Sequence, residues 1–580
     1  MIALTSFFGG DKMTQTAVDQ IKQNLYDVYG KEKGERLYRK TLDIIDDYKQ
    51  KPQAKDWVDE RDVMLITYGD SIKQEEENPL TTLKQFLEEY VGQTINSVHI
   101  LPFYPFTSDD GFSVQDYMEV NPELGDWGNI HALSEDYDLM FDAVINHISR
   151  KSNWFQNYLK GEEEYQDYFV ESDPSLDYSS VVRPRALPLL TKVEHAAGTK
   201  YVWTTFSDDQ IDLNYESEAL FAEVLQILAA YVQHGARYLR LDAIGFLWKR
   251  LGTTSIHLEE THKIVQVMRH VLEEISPGTI VITETNVPHK DNISYFGSGH
   301  NEAHMVYQFP LPPLTLHSFV SGNARHLSEW ADALEDTSDH TSFFNFLASH
   351  DGVGLRPVEG ILNEGEVQSL ADRAKEQGGF VSYKDNGDGT KSPYELNINY
   401  LSALTKPEET PQEAVDRFLA AQTILLSVKG VPGIYVHSLL GSLNDLAGVE
   451  ATGRNRSINR EKLEADQLKK DLDTEGTLRN RVFKTLMDRI ELRKQQKAFH
   501  PNARQDVLFL DDRLFTIVRG GELVSIVNVS EEAVEVDPEE FQDQLKSGTL
   551  MDALSGVSYS TEENITVQPY GALWLKAGEQ

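Results

Sequence analysis

The chain is 580 residues long, 40% hydrophobic and 25% charged, an ordinary globular composition that argues against disorder and fibrous folds. Its 54 Lys and Arg stand against 93 Asp and Glu, a net charge of −39, which excludes the basic surface that nucleic acid or an anionic membrane demands. With no cysteine at all, disulfides, thiolate metal sites and a cysteine nucleophile are excluded as well. The dispersed acidity reads two ways: adaptation to a salty host, or a plain acidic cytosolic protein.

The N-terminus, MIALTSFFGGDKM, lacks the basic and apolar regions of a signal peptide, and no apolar run nears the ~18 residues of a membrane span. A cytoplasmic protein is expected, with either Met1 or Met13 as its start. Val18, Ile21, Leu25 and Val28 recur at helical spacing, so residues 1–59 read as an N-terminal helical extension. From residue 60 onward, short β-rich runs alternate with amphipathic helices. The runs are VMLITY (63–68), SVHILPF (97–103), LMFDAVINH (139–147), YLRLDAIGF (238–246), TIVITETN (279–286) and FFNFLASHD (343–351), with a seventh candidate at 431–436. Nearly continuous apolar strands between helices imply a parallel sheet covered on both faces, and their number suggests an α/β fold, a (β/α)₈ TIM barrel.

Two stretches interrupt the alternation. Residues 148–214, polar and aromatic, read as an inserted domain B; residues 352–400, with the run GGFVSYKDNGDGTKSPY, read as a long loop insertion. The barrel is then spread over residues 60–147, 215–351 and 401–500, and residues 501–580, with short alternating runs, form a C-terminal antiparallel β-domain.

In such barrels, reactive groups lie just beyond the C-terminal strand ends. One run delivers Asp142, Asn146 and His147, the next Arg240 and Asp242, the next Glu284, and the last His350 and Asp351. A single strand-end carboxylate is as often a satisfied ion pair; four successive strands ending this way point to chemistry. Three carboxylates without cysteine suit glycosidic-bond chemistry, in which one attacks or stabilises an oxocarbenium-like centre and another protonates the leaving oxygen. Arg240 and Asp242 share a strand face, so the guanidinium is expected to keep Asp242 ionised as a nucleophile. Neighbouring ionised carboxylates are expected to raise Glu284, as a general acid needs.

DAVINH, RLDAIGF, ITETN and ASHD resemble, in order, the four signature segments of the α-amylase superfamily, glycoside hydrolase family 13. LPFYPFTSDDGFSVQDY (101–117), QIDLNY (210–215) and GVPGIYVHSLLG (430–441) extend the likeness over nearly the whole chain from residue 60. The resemblance implies that Asp242 is the nucleophile, Glu284 the acid/base and Asp351 the transition-state stabiliser. It places Asp109, His147, Arg240, His350 and Arg456 on the glucose hydroxyls, Phe112 against the sugar face and Gln210 in the pocket lining.

RPRALP (183–188), FSDDQIDLNY (206–215), FPLPPLTLH (309–317) and RSINR (456–460) further resemble the sucrose phosphorylase subfamily. That implies retaining transfer of glucose to inorganic phosphate as co-substrate, with no cofactor and no metal. Arg185 matches the phosphate-binding arginine; its alternative reading is a surface ion pair.

The acceptor side departs from sucrose enzymes. Phe246 stands where they have a tyrosine, and SYKDNGDGTKSPYELN (382–397), containing Tyr394, replaces their acceptor loop. This loop and ITETNVPHKDNISYFG (282–297) look like those of phosphorylases acting on 2-O-α-glucosylglycerate and 2-O-α-glucosylglycerol. A glycerate carboxylate would want a cation, for which Lys290, His289 and Lys384 are candidates. The acidic composition fits an osmolyte-using cell and favours glucosylglycerol as substrate, with glucosylglycerate the close alternative and sucrose or sucrose 6′-phosphate behind them.

The rivals are a hydrolase or transglucosidase of the same superfamily, a non-catalytic scaffold and a carbohydrate-binding module. Asn146 alone is weak support for the calcium that some amylases bind near the inserted domain. The expected partners are a small sugar substrate and phosphate, with neither nucleic acid nor membrane, and monomer and homodimer are equally allowed.

Overall fold

The alternating runs close into an eight-stranded parallel barrel in the computed structural model, which describes residues 10–185, 187–385, 390–406 and 409–578. Its strands are β1 (Met64–Thr67), β2 (Ser97–Ile100), β3 (Asp138–Ala143), β4 (Ala236–Leu241), β5 (Ile280–Thr283), β6 (Met305–Tyr307), β7 (Ser342–Asn345) and β8 (Val431–Tyr435). They follow chain order around the barrel, and β8 closes on β1. Every residue of β1, β2, β4, β5, β7 and β8 is buried, which is why these runs show no polar alternation. β6 has only three residues, too few to show a pattern in the sequence. β7 stops at Asn345, so His350 and Asp351 sit on the following loop rather than at the strand end.

The chain divides into two compact units that cut across the segments read from the sequence. One comprises Met1–Trp57, Ile100–Thr285 and Ile293–Val306; the other comprises Val58–His99, Asn286–Asn292 and Tyr307–Gln580.

In the first unit, α1 (Gly10–Tyr48) packs on α2 (Glu218–Gln233) and α3 (Glu259–Ile275). Ile21, Leu25, Leu37, Ile44 and Ile45 form its buried stripe. α1 is broken at Gly30, whose φ of 75° and ψ of 168° belong to a region essentially restricted to glycine. Residues 148–214 contain the helix Asn153–Lys160, capped by Ser152. They also contain the hairpin Leu190–His195/Gly198–Trp203, and Gln210–Asp212 pairs with His147–Ser149. A small core of Val181, Leu189 and Trp203 accompanies them.

In the second unit, the stretch expected to be a long loop has regular structure instead. The helix Glu364–Glu376 starts at a reciprocal cap between Asn363 and Glu366. The strands Phe380–Asp385 and Lys391–Asn397 pair antiparallel, with Val353–Gly354 added at the edge. The Gly- and Asp-rich run thus contributes to both strands, and residues 386–389 lie outside the described residues. The C-terminal region forms a six-stranded sheet around Val518, Val524, Ile526 and Leu575. Among the described residues no helix is long and apolar enough to cross a membrane.

Candidate active site

β3 and β4 pair in parallel with Asp142 level with Arg240. Arg240 Nη1 donates to Asp142 Oδ1 at 2.5 Å and to Asp242 Oδ1 at 2.8 Å. Glu284 follows β5, with its Oε2 4.0 Å from Arg240 Nη2 and accepting from the Ala243 amide at 3.0 Å. Ala243 adopts a φ of 50°, a left-handed conformation costly for a non-glycine residue. That turn aims its N–H at Glu284, so one guanidinium and one strained amide organise three carboxylates.

Burial pushes the Asp242 carboxyl up from its ordinary value; Arg240 and His147 pull the other way, and Asp142 adds to the rise. The guanidinium expected to keep Asp242 ionised is therefore outweighed: burial acts against it, and the Asp142 carboxylate bonded to the same Nη1 adds an opposing charge.

His147 is held from both ring nitrogens. Nε2 donates to the Phe112 carbonyl at 2.8 Å, and Asn146 Nδ2 donates to Nδ1 at 3.3 Å. Burial lowers its pKa, consistent with a neutral ring. Three successive residues, Asp109, Asp110 and Gly111, have φ of 55°, 47° and 105°. A side chain at Gly111 would meet the Pro102 carbonyl at 2.6 Å, so this tight turn depends on glycine. It presents Phe112, whose ring lies 5.7 Å from the Arg240 guanidinium, and Asp109.

Gln210 Nε2 donates to the Phe112 carbonyl at 3.0 Å and to Asp109 Oδ2 at 3.4 Å. Arg185 Nη2 reaches the same oxygen at 3.1 Å, and its guanidinium lies 5.6 Å from the Phe206 ring. Its ion pair is therefore with an expected pocket residue. Phe246 is buried and meets Phe206 edge-on at 5.5 Å.

The second unit holds the other expected residues. Arg456 Nη1 contacts Asp351 Oδ1 at 2.6 Å, while Nη2 and Nε donate to Glu395 at 2.7 and 3.1 Å. Arg456, expected to hold sugar hydroxyls, is here shared between two carboxylates. His350 Nε2 lies 3.4 Å from Asp351 Oδ2, and Arg460 Nε donates to the His350 carbonyl at 2.8 Å. Tyr394 is half-buried on the strand beside Glu395. Of the candidate cations, Lys384 pairs with Glu359 at 2.6 Å and His289 with Glu335 at 2.8 Å, whereas Lys290 is exposed.

Sequence reasoning missed Glu395, Arg460, Phe206 and Lys249. Glu395 carries no local signal, because its partner is 61 residues away. Lys249 Nζ lies 2.9 Å from Asp212 and donates to Asn146 Oδ1 at 3.0 Å. Asp212 also accepts from the Thr205 amide and hydroxyl at 2.8 and 2.6 Å. The residue considered as a calcium ligand thus receives a buried ammonium. Among the described residues no group of three or more His, Asp or Glu is arranged to hold a metal ion.

Residues 87–356 match the alpha amylase catalytic domain. The chain is 46% identical over 529 residues to the glucosylglycerate phosphorylase of Escherichia coli (strain K12), covering 90% of this chain and 93% of that one. It is 43% identical to the glucosylglycerate phosphorylase of Spirochaeta thermophila, covering 96% and 98%. Identity to the glucosylglycerol phosphorylase of Marinobacter adhaerens is 29%, covering 75% and 88%. The crystal structure of a sucrose 6F-phosphate phosphorylase from Thermoanaerobacter thermosaccharolyticum superposes with a TM-score of 0.70 over 81% of this chain and 94% of that one, at 24% identity. The preference for glucosylglycerol does not fit this ranking: net charge reports on solubility and long-range field, not on the few groups that meet an acceptor. The barrel, the strand-end carboxylates and the near-full-length relatives lead to one statement: the chain is an enzyme and belongs to the alpha-amylase family.

Proposed function

We propose that the protein is a retaining phosphorylase of 2-O-α-D-glucosyl-D-glycerate. The observation that carries this reading is the gap in identity: 46% and 43% to two glucosylglycerate phosphorylases over nearly the whole chain, against 29% to a glucosylglycerol phosphorylase. The site geometry supports the chemistry. Asp242 attacks the anomeric carbon while Glu284 gives its proton to the leaving glyceryl oxygen, so the glycosidic bond breaks and free glycerate departs from a β-glucosyl–Asp242 ester. Phosphate, assisted by Glu284 acting now as base, attacks the same carbon. The ester bond breaks, and α-D-glucose 1-phosphate leaves with the original configuration. Asp351 is assigned the stabilising part, with Arg456 holding its carboxylate. Phosphate must outcompete water, and Arg185 supplies a guanidinium for it once released from Asp109. For the glycerate carboxylate, Lys290 is the cation assigned, because Lys384 and His289 already face carboxylates.

The test runs the reaction backwards. The enzyme is given α-D-glucose 1-phosphate with D-glycerate, glycerol or fructose, and phosphate release is followed. Release is expected to be fastest with D-glycerate. Glycerol or fructose in first place would overturn the substrate, and acceptor-independent release would make the enzyme a hydrolase.

A further inference from the structure

We infer that Tyr29, on the N-terminal helix, is a positioning residue for the donor pocket, an inference that rests on the proposed reading of that pocket. Tyr29 immediately precedes the break in α1. Its hydroxyl donates to the Tyr215 carbonyl at 2.7 Å, although 186 residues separate the two. Burial pushes this hydroxyl well up, so it stays a donor.

Tyr215 ends the segment that carries Gln210. Its own hydroxyl donates to the Ile145 carbonyl at 2.7 Å, and the Leu213 amide donates to the Asn146 carbonyl at 2.9 Å. Asp212 is registered opposite His147. The segment tied down by Tyr29 is therefore the one that backs His147 and delivers Gln210.

A second route leads to the same place. The Tyr29 ring lies 6.3 Å from that of Trp248, at an interplanar angle of 68°. The next residue, Lys249, bridges Asp212 and Asn146. Both routes reach the same pairing, with Asn146 beside His147 and Asp212 opposite it.

The break itself fits this role. A continuous helix would carry residue 29 along its regular face. Gly30 occupies a backbone region that other residues avoid, yet a side chain there would meet nothing within 4 Å. Packing does not require glycine at this position; the turn does, and the turn accompanies the hydroxyl's reach to Tyr215.

The test compares Tyr29→Phe, which keeps the ring and removes the hydroxyl, with Gly30→Ala, which disfavours the break. Lys40→Ala serves as the control: it removes the 3.6 Å contact between Lys40 and Glu223, which links α1 to α2 further along the helix. The donor is α-D-glucosyl fluoride, which a retaining α-glucosyl-transferring enzyme consumes whatever its natural acceptor. The KM for this donor and for α-D-glucose 1-phosphate is expected to rise about 5-fold in Tyr29→Phe, the worth of one ordinary hydrogen bond, with kcat and the acceptor KM within twofold. Gly30→Ala is expected to move the same parameter in the same direction, and Lys40→Ala to leave it unchanged. Donor KM values equal to wild type in Tyr29→Phe, with only a lowered melting temperature, would overturn the inference. Failure of the substrate reading shows separately, as glycerate-independent kinetics in the unmodified enzyme, and leaves the fluoride comparison intact.

Discussion

Two arginines divide their charge between carboxylates, one in each unit, and they do so under opposite conditions. Arg240 lies on a strand, and its partners Asp142 and Asp242 come from the neighbouring strand and from two residues further along its own. Arg456 lies on a short 3₁₀ turn, and its partners Asp351 and Glu395 come from a loop and a hairpin strand. The Arg240 side chain is 3% exposed and Asp142 fully buried, while Arg456 and Asp351 are 26% and 29% exposed. Strand register therefore builds a wholly desolvated charge cluster, whereas the second leaves Arg456 and Asp351 within reach of water and buries only Glu395. The first should be intolerant of any imbalance; the second should tolerate it structurally and show it mainly in turnover.

The sharpest way to break this comparison is to remove both arginines in parallel. Arg240→Met leaves two buried carboxylates without their cation. A loss of about 3–5 kcal/mol in unfolding free energy is expected, with activity down by at least about 10⁴-fold. Arg456→Met is expected to cost less, about 1–2 kcal/mol, because water reaches Asp351 although Glu395 is buried, and to lower activity by about 10²-fold. Thermal melts and phosphate release measure both, and equal destabilisation by the two would refute the contrast.

Lys249→Met tests buried imbalance away from the carboxylate cluster. It strands Asp212 and should cost about 3 kcal/mol or more, which Lys249→Met combined with Asp212→Asn should largely restore. Failure of the double variant to recover in a denaturant titration would mean that packing, not charge, dominates there.

The pH response sharpens the same point. Burial holds His437 down to about 3 and His270 to about 4, and lowers His147. Their stabilisation is complete above the unfolded value near 6.5 and fades as pH falls below it, because the unfolded chain takes up protons that the fold refuses. His437 alone amounts to on the order of 3 kcal/mol between pH 6.5 and 4, and His437→Asn should flatten the melting-temperature slope over that window. For activity, with Asp242 as the proposed nucleophile, which must be ionised to attack, its raised carboxyl places the acid limb of kcat/KM above 3.8.

The smallest effects are expected at the exposed cations. Lys384→Ala should leave the D-glycerate KM within about twofold, as its partner Glu359 lies in water. Lys290→Ala should raise that KM several-fold without changing the glycerol KM. A reversed result would move the carboxylate clamp to the hairpin.

Much of the first unit was legible because its site is local in sequence. Asp142, Arg240, Asp242 and Glu284 announce themselves at the ends of apolar runs, and strand spacing alone puts Arg240 and Asp242 on one face. The second unit hides more. Glu395 reads as one more acid among 93 Asp and Glu until the fold brings Arg456 to it. β6 is too short for periodicity, and residues 352–400 looked like a loop because Gly, Asp, Asn and Ser crowd the run 378–394 even where it forms strands. The balance of charge at Asp242 could not be read from spacing, since inter-strand register is what sets the opposing Asp142 carboxylate beside Arg240. The preference for glucosylglycerol leaned on a global property, net charge, for a local question, and the identities to relatives favour the glucosylglycerate alternative.

Lys249 gives the inserted region a cation that is part of the chain. A bound divalent ion exchanges with its surroundings, is stripped by chelators and forms sparingly soluble salts with phosphate. A covalently tethered ammonium does none of these things. For the phosphorylase proposed here, a fixed counterion between Asn146 and Asp212 would separate structural integrity from the concentration of the phosphate that the reaction consumes.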